Sequence, residues 1–98
     1  MAFIQIIDVK TKELDKVQAL DREYEAATAG KTTARRSITC RDRNDPDRHL
    51  VMVFFDSYES AMENSNLPET QEFAARWAEL TLGPPTFVDL DVIDDHEI

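Results

Sequence analysis

The sequence predicts an α+β fold of the ferredoxin-like kind, in which the element order βαββαβ builds an antiparallel sheet with helices on one face. Three observations support this prediction. Apolar runs of strand length occur near both ends and in the middle of the chain, segments with helical spacing separate them, and a turn-forming segment, Asp42–Asp47, joins the two central strands. A chain of 98 residues is expected to form one domain, spanning 1–98.

The predicted strands differ in how their apolar residues alternate. Ala2–Val9 is short and rich in isoleucine, whereas Thr33–Arg41 sets β-branched residues beside arginines, as a half-solvated strand does. His49–Phe55 is apolar at odd and even positions, so both of its faces should be covered. Thr86–Ile93 alternates apolar residues with aspartates and is expected to be an edge strand, with a fraying acidic tail after it.

Helices are predicted between these strands. Lys12–Thr28 has apolar residues at steps of three and four, and Ser57–Asn64 follows Asp56, which has capping-box spacing with Glu59. Pro68–Gly83 begins with a proline, which suits a first helical position, and carries an apolar stripe of phenylalanine, alanine, tryptophan and leucine.

Charge and cysteine content exclude several classes of protein. Twenty acidic against 11 basic residues give a net charge of −9, which disfavours nucleic acids and anionic membranes as partners. The single cysteine, Cys40, cannot form an internal disulfide and is expected to be a small buried hydrophobe. The N-terminal residues lack the features of a signal peptide, so we expect a cytoplasmic protein. We expect no metal site, because the sequence has no histidine cluster and no calcium-binding loop pattern.

A sheet with helices on one face leaves its other face uncovered, although the first and third strands are apolar on both. The side chains assigned to the uncovered face are Ile4, Ile6, Val51, Val53 and Phe55. A second copy is expected to cover them, so that two sheets close into a barrel-like homodimer. The alternative is a monomer whose far face is shielded by the acidic tail.

Particular sequence segments, together with the element order, resemble the antibiotic biosynthesis monooxygenase family. FDSYESA opens the second helix and PTFVDLDV forms the last strand, and RDRNDPDRHLVMVFFDSYESAMENSNLPET is similar to segments of small actinobacterial members. The resemblance covers nearly the whole chain. It implies a dimeric α+β barrel with a pocket between sheet and helices in each subunit. Relatives use that pocket for cofactor-free oxygenation of aromatic polyketides or quinols, or for haem degradation.

The same resemblance places residues of this chain where two branches of the family have functional side chains. The haem-degrading branch has an asparagine, a tryptophan and a haem-ligating histidine at the positions of Gln5, Ser65 and Phe73. The polyketide-oxidising branch has an asparagine and a tryptophan at the positions of Met52 and Asp56. All five differ, and phenylalanine cannot coordinate iron, so we expect neither haem cleavage nor a bound cofactor.

Gln5 is the candidate catalytic residue, because an amide can donate a hydrogen bond to a substrate carbonyl or a developing oxyanion. A buried amide satisfied by the backbone is the alternative. The candidate pocket residues are aromatic, apolar or cationic: Met52, Phe54, Tyr58, Phe73, Trp77 and Arg36. Ordinary core packing is the alternative for the aromatic residues, and pairing with nearby carboxylates is the alternative for the arginine.

Two functions follow from this reading of the sequence. The first is a monooxygenase-like enzyme that needs no cofactor and acts on a small aromatic or quinol-type molecule held between sheet and helices. The second is a non-catalytic ligand-binding or structural homodimer with the same fold.

Overall fold

The computed structural model describes residues 2–98 and contains four strands and three helices. In chain order they are β1 (Phe3–Lys10), α1 (Leu14–Thr28), β2 (Ala34–Asp42), β3 (Asp45–Phe55), α2 (Tyr58–Ser65), α3 (Pro68–Ala78) and β4 (Thr86–Asp91). The strands form one antiparallel sheet in the order β2-β3-β1-β4. The predicted ferredoxin-like α+β fold is therefore confirmed. No helix in the described part of the chain is long and apolar enough to cross a membrane.

The pairing of β1 with β3 decides which side chains share a face of the sheet. Phe3 lies opposite Phe55 and Val9 lies opposite His49, so the odd-numbered residues of both strands point the same way. Phe3 and Phe55 pack against Ala61 of α2, which shows that the helices lie on this side. We term it the covered face.

Two buried clusters form the core on the covered face. The larger joins β1 to α1 and α3 and consists of Val9, Val17, Leu20 and Trp77, with Ile7, Phe73 and Leu80 packed against it. The smaller joins β1 and β3 to α2 and consists of Phe3, Phe55 and Ala61, with Ala34, Val53 and Met62 packed against it. Each helix thus buries its apolar stripe against the sheet, as amphipathic spacing requires.

The opposite side of the sheet carries the even-numbered residues of β1, β3 and β4 and their neighbours on β2. This open face consists of the mostly apolar residues Ile4, Ile6, Arg36, Ile38, Cys40, Leu50, Met52, Phe54, Val88 and Leu90, with the charged residues Asp8, Lys10 and Arg48 at one end. The prediction that Cys40 is buried was wrong: its side chain is exposed, because β2 is an edge strand and no helix covers this face.

The predicted uncovered face was right for β1 and wrong for β3. Ile4 and Ile6 do point away from the helices. Three residues assigned with them lie on the covered face instead: Val51, Val53 and Phe55. When a strand is apolar at both odd-numbered and even-numbered positions, its sequence does not show which set faces the helices. An error of one residue in the assignment then exchanges the two faces.

The turn between β2 and β3 is tighter than predicted. Asp42 pairs with Asp45, so only Arg43 and Asn44 lie between the strands. Asp42 accepts a hydrogen bond from the backbone N–H of Asn44 at 2.8 Å, an arrangement typical of an aspartate that begins a turn. Pro46 lies within β3 but ahead of the stretch that pairs with β1, so its missing N–H removes no bond from that ladder.

Two helix ends also differ from prediction. Ser57, rather than Asp56, caps α2: its hydroxyl accepts from the backbone N–H of Ser60 at 3.0 Å, and the Ser60 hydroxyl accepts from the Ser57 N–H at 3.1 Å. Asp56 binds the guanidinium of Arg35 instead, at 2.6 Å. The last helix ends at Ala78, ahead of the predicted end at Gly83.

Candidate functional site

Gln5 lies on the covered face in the middle of β1. Its neighbours across the sheet are Val53 and Asp89, and its Nε2 donates to Oδ1 of Asp89 at 3.2 Å. This pair lies towards the β4 edge, where Phe87 on the same face is 55% exposed. Because a carboxamide has two N–H donors, Gln5 can hold Asp89 with one and offer the other to a ligand.

Three of the predicted pocket residues lie on the helix side of the sheet. Phe73 and Trp77 of α3 stack with ring centroids 6.0 Å apart and an interplanar angle of 25°. Tyr58, at the start of α2, meets Phe3 edge-on at 5.5 Å and is 48% exposed. Phe73 and Trp77 thus belong to the larger core cluster, whereas Tyr58 contacts the smaller one.

The other three predicted pocket residues lie on the open face. Met52 and Phe54 alternate with the core residues of β3, and the guanidinium carbon of Arg36 lies 5.9 Å from the Phe54 ring centroid. Within one chain, the sheet therefore separates them from Gln5. The six residues do not line one pocket of the monomer, and a role of any of them in ligand binding stays a prediction.

Two buried polar side chains on the covered side have nitrogen atoms without a hydrogen-bond partner among residues 2–98. They are His49, which is 3% exposed and has both ring nitrogens unpaired, and Trp77, whose indole Nε1 is unpaired. Leaving such a group unpaired costs about 1–3 kcal/mol. Sequence patterning predicts for His49 only that it is the first residue of the third strand. The missed signal was its parity, which it shares with the core residue Phe55.

A carboxyl group on α1 also lies partly inside this layer. Asp21 is four residues after Val17 and seven before Thr28, both of which are buried, so it is on the inner side of the helix. Burial raises the pKa of Asp21 to about 6, and the nearby charge of Glu25 adds to the effect. Its spacing from Val17 was the signal in the sequence, which the charge of the side chain obscured.

A chain of hydrogen bonds ties the three helices together beside the core. The hydroxyl of Thr32 donates to Oδ1 of Asn64 at 2.8 Å, and Nδ2 of Asn64 donates to the hydroxyl of Tyr24 at 3.1 Å. The Tyr24 hydroxyl also lies 2.7 Å from Oγ1 of Thr70. Asn64 is buried and uses both ends of its amide, so this chain fixes α2 against α1 and α3.

A cleft runs along the outside of α1 and α3. Its larger part, termed the α1–α3 cleft, has a volume of about 290 Å³ and is lined by Lys16, Ala19, Leu20, Glu23, Arg76, Glu79 and Leu80. A smaller hollow of about 80 Å³ continues it towards Tyr24 and Phe73. Arg76 and Glu23 form an ion pair at 3.3 Å across the line between the two helices.

The remaining charged clusters have structural partners. On the open side of the sheet, Arg48 binds Asp8 at 2.7 Å and Asp42 at 3.0 Å. The bond to Arg48 lowers the pKa of Asp8, whereas the backbone N–H of Asn44, and after it Arg48, lowers the pKa of Asp42. Asp89 and Asp91 lie on the covered face of β4, where Asp89 meets Gln5. Across residues 2–98, no group of three or more histidine, cysteine, aspartate or glutamate side chains could hold a metal ion.

Comparison with known proteins places this geometry on a known fold. No family model and no curated protein sequence matches the chain. Among solved structures, a Caulobacter crescentus protein assigned to the antibiotic biosynthesis monooxygenases matches with a TM-score of 0.81 at 10% identity, over 95% of this chain and 91% of that one. The chain has the antibiotic biosynthesis monooxygenase fold.

Two further structures with the antibiotic biosynthesis monooxygenase fold match over nearly full length. SnoaB from Streptomyces nogalater, described as a cofactor-independent oxygenase, has a TM-score of 0.81 at 8% identity, over 96% of this chain and 95% of that one. A Chloroflexus aurantiacus protein with the same family assignment has a TM-score of 0.75 at 19% identity, over 100% and 99% of the two chains.

On this antibiotic biosynthesis monooxygenase fold, the positions compared with the two branches of the family have ordinary structural contacts. The Ser65 hydroxyl donates to the carbonyl oxygen of Ala61 at 3.1 Å, and Phe73 packs between two aromatic rings. Met52 lies on the open face, and Asp56 is paired with an arginine. Gln5 is the one compared position whose polar side chain lies on the covered face of the sheet.

Proposed function

We propose that the protein is a cofactor-independent monooxygenase that acts on a small aromatic or quinol-type substrate on the covered side of its sheet. The observation that carries this proposal is the match to SnoaB over nearly the whole of both chains. In such a reaction, the activated CH₂ group of the substrate is oxidised to a carbonyl and supplies all four electrons that reduce O₂. One oxygen atom becomes the new carbonyl oxygen, and the other leaves as water with the two hydrogens of that CH₂.

Gln5 is the residue that this proposal places at the reacting oxygen. A carbon acid becomes reactive to O₂ once it is deprotonated, and the negative charge then resides largely on the substrate oxygen. The N–H of Gln5 that does not bind Asp89 can donate to that oxygen. Phe73 and Trp77 stack on the same side of the sheet. In the proposed reaction, their rings form an apolar wall that keeps water away from the deprotonated substrate.

Oxygen uptake tests the proposal. Anthrone is a suitable probe. Its CH₂ group lies between two benzene rings that are both conjugated with its ketone, and oxidation of that CH₂ group gives a quinone. We expect the protein to raise oxygen uptake above the protein-free rate and Gln5→Ala to lower the raised rate by about tenfold or more. Gln71→Ala, which removes an exposed amide on α3, is the matched control and should keep the rate. An undiminished rate in Gln5→Ala would contradict the role of Gln5, and uptake equal to the protein-free rate would contradict the enzyme.

The proposal includes a homodimer formed through the open face. This face is apolar across all four strands, and Val88 and Leu90 are 43% and 40% exposed on it. Its charged residues are already matched, since Arg48 binds two aspartates and Arg36 lies over a phenylalanine ring. Two copies related by a two-fold axis would bury one such surface against the other. The unpaired thiol of Cys40 on this face supports a reducing, cytoplasmic setting.

A second function is favoured by one specific observation. Five positions at which the resemblance places functional side chains of relatives have other residues here, four of them in ordinary contacts. A non-catalytic homodimer that binds a small aromatic molecule fits this observation. Such a protein would bind an aromatic probe saturably without any oxygen uptake above the protein-free rate, which separates it from the enzyme.

A further inference from the structure

Gln5 and Asp89 form a polar pair on the covered face of the sheet. The two residues lie directly opposite each other in β1 and β4, and Nε2 of Gln5 donates to Oδ1 of Asp89 at 3.2 Å. A carboxylate can only accept, so it fixes the amide with its nitrogen, rather than its oxygen, towards Asp89. In the described part of the chain, the second N–H of that nitrogen and the second oxygen of Asp89 have no hydrogen-bond partner.

Asp89 differs from two other aspartates of the sheet in what binds it. Asp8 accepts from Arg48 at 2.7 Å, and Asp45 binds Lys10 at 2.8 Å. A cation at such a distance holds a carboxylate in its charged form and opposes the uptake of a proton. Over the residues that the structure describes, Asp89 forms no ion pair, and its partner is a neutral amide. Its carboxylate is therefore able to accept a proton.

Apolar side chains border this pair on the same face. Val53 lies beside Gln5 on β3, and Phe87 lies two residues before Asp89 on β4, where it is 55% exposed. Phe87 lies directly opposite Ile7, which packs against the larger core cluster. A flat substrate would thus meet an exposed ring, a carboxylate and an amide donor together, which are an apolar surface and the two polar groups that deprotonation needs.

We propose that Asp89 is the catalytic base of the oxygenation proposed above, with Gln5 bridging it to the substrate. The inference rests on the proposed function and adds the group that removes the proton. Asp89 takes one proton from the activated CH₂ group, and the electron pair of that C–H bond passes to the conjugated oxygen of the substrate. The negative charge thereby moves from Asp89 to the substrate oxygen. Gln5 can direct one N–H at each, so a donor meets the charge before and after the transfer.

The proton on Asp89 is used in the later steps. The carbanion forms a C–O bond to O₂, and the proton from Asp89 converts the peroxide ion to a hydroperoxide. Loss of the second C–H proton to Asp89 then forms the carbonyl as the O–O bond breaks, and the departing hydroxide takes that proton and leaves as water. Each C–H electron pair supplies two electrons to O₂, and Asp89 ends in its starting form.

Hydrogen exchange without oxygen tests the base separately from the oxygenation. The probe is anthrone in D₂O under nitrogen, and mass spectrometry measures how fast its CH₂ group takes up deuterium. We expect the protein to raise this rate above the protein-free rate, because a proton on the exposed Asp89 exchanges with the solvent. Asp89→Asn, which can still accept from Gln5 but cannot take a proton, should lower the protein-dependent rate by about 100-fold or more. Exchange by the unaltered protein at the protein-free rate, or an equal rate in Asp89→Asn, would overturn the proposal.

Two further variants separate a base from a structural role. Asp91→Asn changes a carboxylate on the same strand and face that lies opposite Phe3 rather than Gln5, and it should keep the rate. Asp89→Ala removes the carboxylate, and formate should restore part of the lost rate, beyond what formate gives without protein. A loss in Asp89→Ala that formate does not restore would mean that Asp89 only orients Gln5, and would overturn its role as the base. An equal loss in Asp91→Asn would do the same, because the overall charge of β4 would then set the rate.

The outcomes also distinguish the base from the proposed oxygenation. Exchange that depends on Asp89, combined with no oxygen uptake above the protein-free rate, would leave the base intact and contradict the oxygenation. Oxygen uptake that depends on Gln5, combined with exchange at the protein-free rate, would leave the oxygenation intact and overturn the base.

Discussion

Both faces of the sheet are apolar, yet in a single chain they differ in how much of their surface is exposed to solvent. On the covered face, Phe55 is 5% exposed because α2 packs on it. On the open face, Leu90 is 40% exposed, because no helix lies over it and β4 is an edge strand. The comparison shows that strand alternation in this chain builds two apolar surfaces, of which the local helices can bury only one. The proposed homodimer would cover the open face.

Neighbouring residues of β3 give the largest expected contrast between the faces. Val53→Asp places a carboxylate against the core residues of α2, and we expect it to lower the free energy of unfolding by about 3 kcal/mol or more. Met52→Asp places the same group on the open face, and we expect a folded monomer. Chemical denaturation measures the first effect and size-exclusion chromatography with light scattering measures the second. A folded, dimeric Met52→Asp would contradict the assignment of the open face.

The charge of Asp21 inside the covered layer is expected to cost stability at neutral pH. Its folded-state pKa of about 6 lies above the ordinary value of 3.8, so the folded chain binds this proton more tightly than the unfolded chain. The free energy of unfolding should therefore fall as pH rises from about 4 to 6, and the full penalty should be present above that range. Asp21→Asn should raise the free energy of unfolding at pH 7 by about 1–3 kcal/mol and reduce that slope.

Denaturation across pH 4 to 8 checks the role of Asp21. Asp95→Asn, which removes one exposed carboxylate from the tail, is the matched control and should change neither the stability nor the slope. Equal stability of Asp21→Asn and the unaltered protein at pH 7 would show that the carboxyl group is not confined in the covered layer.

The cap of α2 should give the smallest effect, although it supports the helix that covers Phe55. Ser57→Ala removes the acceptor of the Ser60 N–H, and we expect thermal or chemical denaturation to show a loss of about 1 kcal/mol. Ser65→Ala removes a hydroxyl whose bond to Ala61 lies within the same helix, and it should cost less. A Ser57→Ala variant as stable as the unaltered protein would mean that packing alone sets the start of α2.

Most of the fold could be predicted because its signals are local. Helical spacing marks α1 and α3, the turn residues mark the β2–β3 connection, and the alternation in β4 correctly places Asp89 and Asp91 on one face. The cap of α2 was misplaced by one residue, because Asp56 and Ser57 are both good caps and only the ion pair with Arg35 decides between them.

The candidate site was harder to predict, because it depends on which parity of a two-sided strand meets the helices. That choice separates Met52 and Phe54 from Phe73 and Trp77, and it brings His49 into the core. No local pattern carries this information, since β3 is apolar at both parities. The spacing of Asp21 from Val17 places it on the inner side of α1, but the degree of its burial depends on how the helix packs.

Native mass spectrometry of the purified protein tests the central claim most directly, because it reports whether a second chain covers the open face. The account predicts a species of twice the 11.2 kDa chain. Met52→Asp should give the mass of a single chain. An unaltered protein found only as a monomer would contradict the proposed role of the open face.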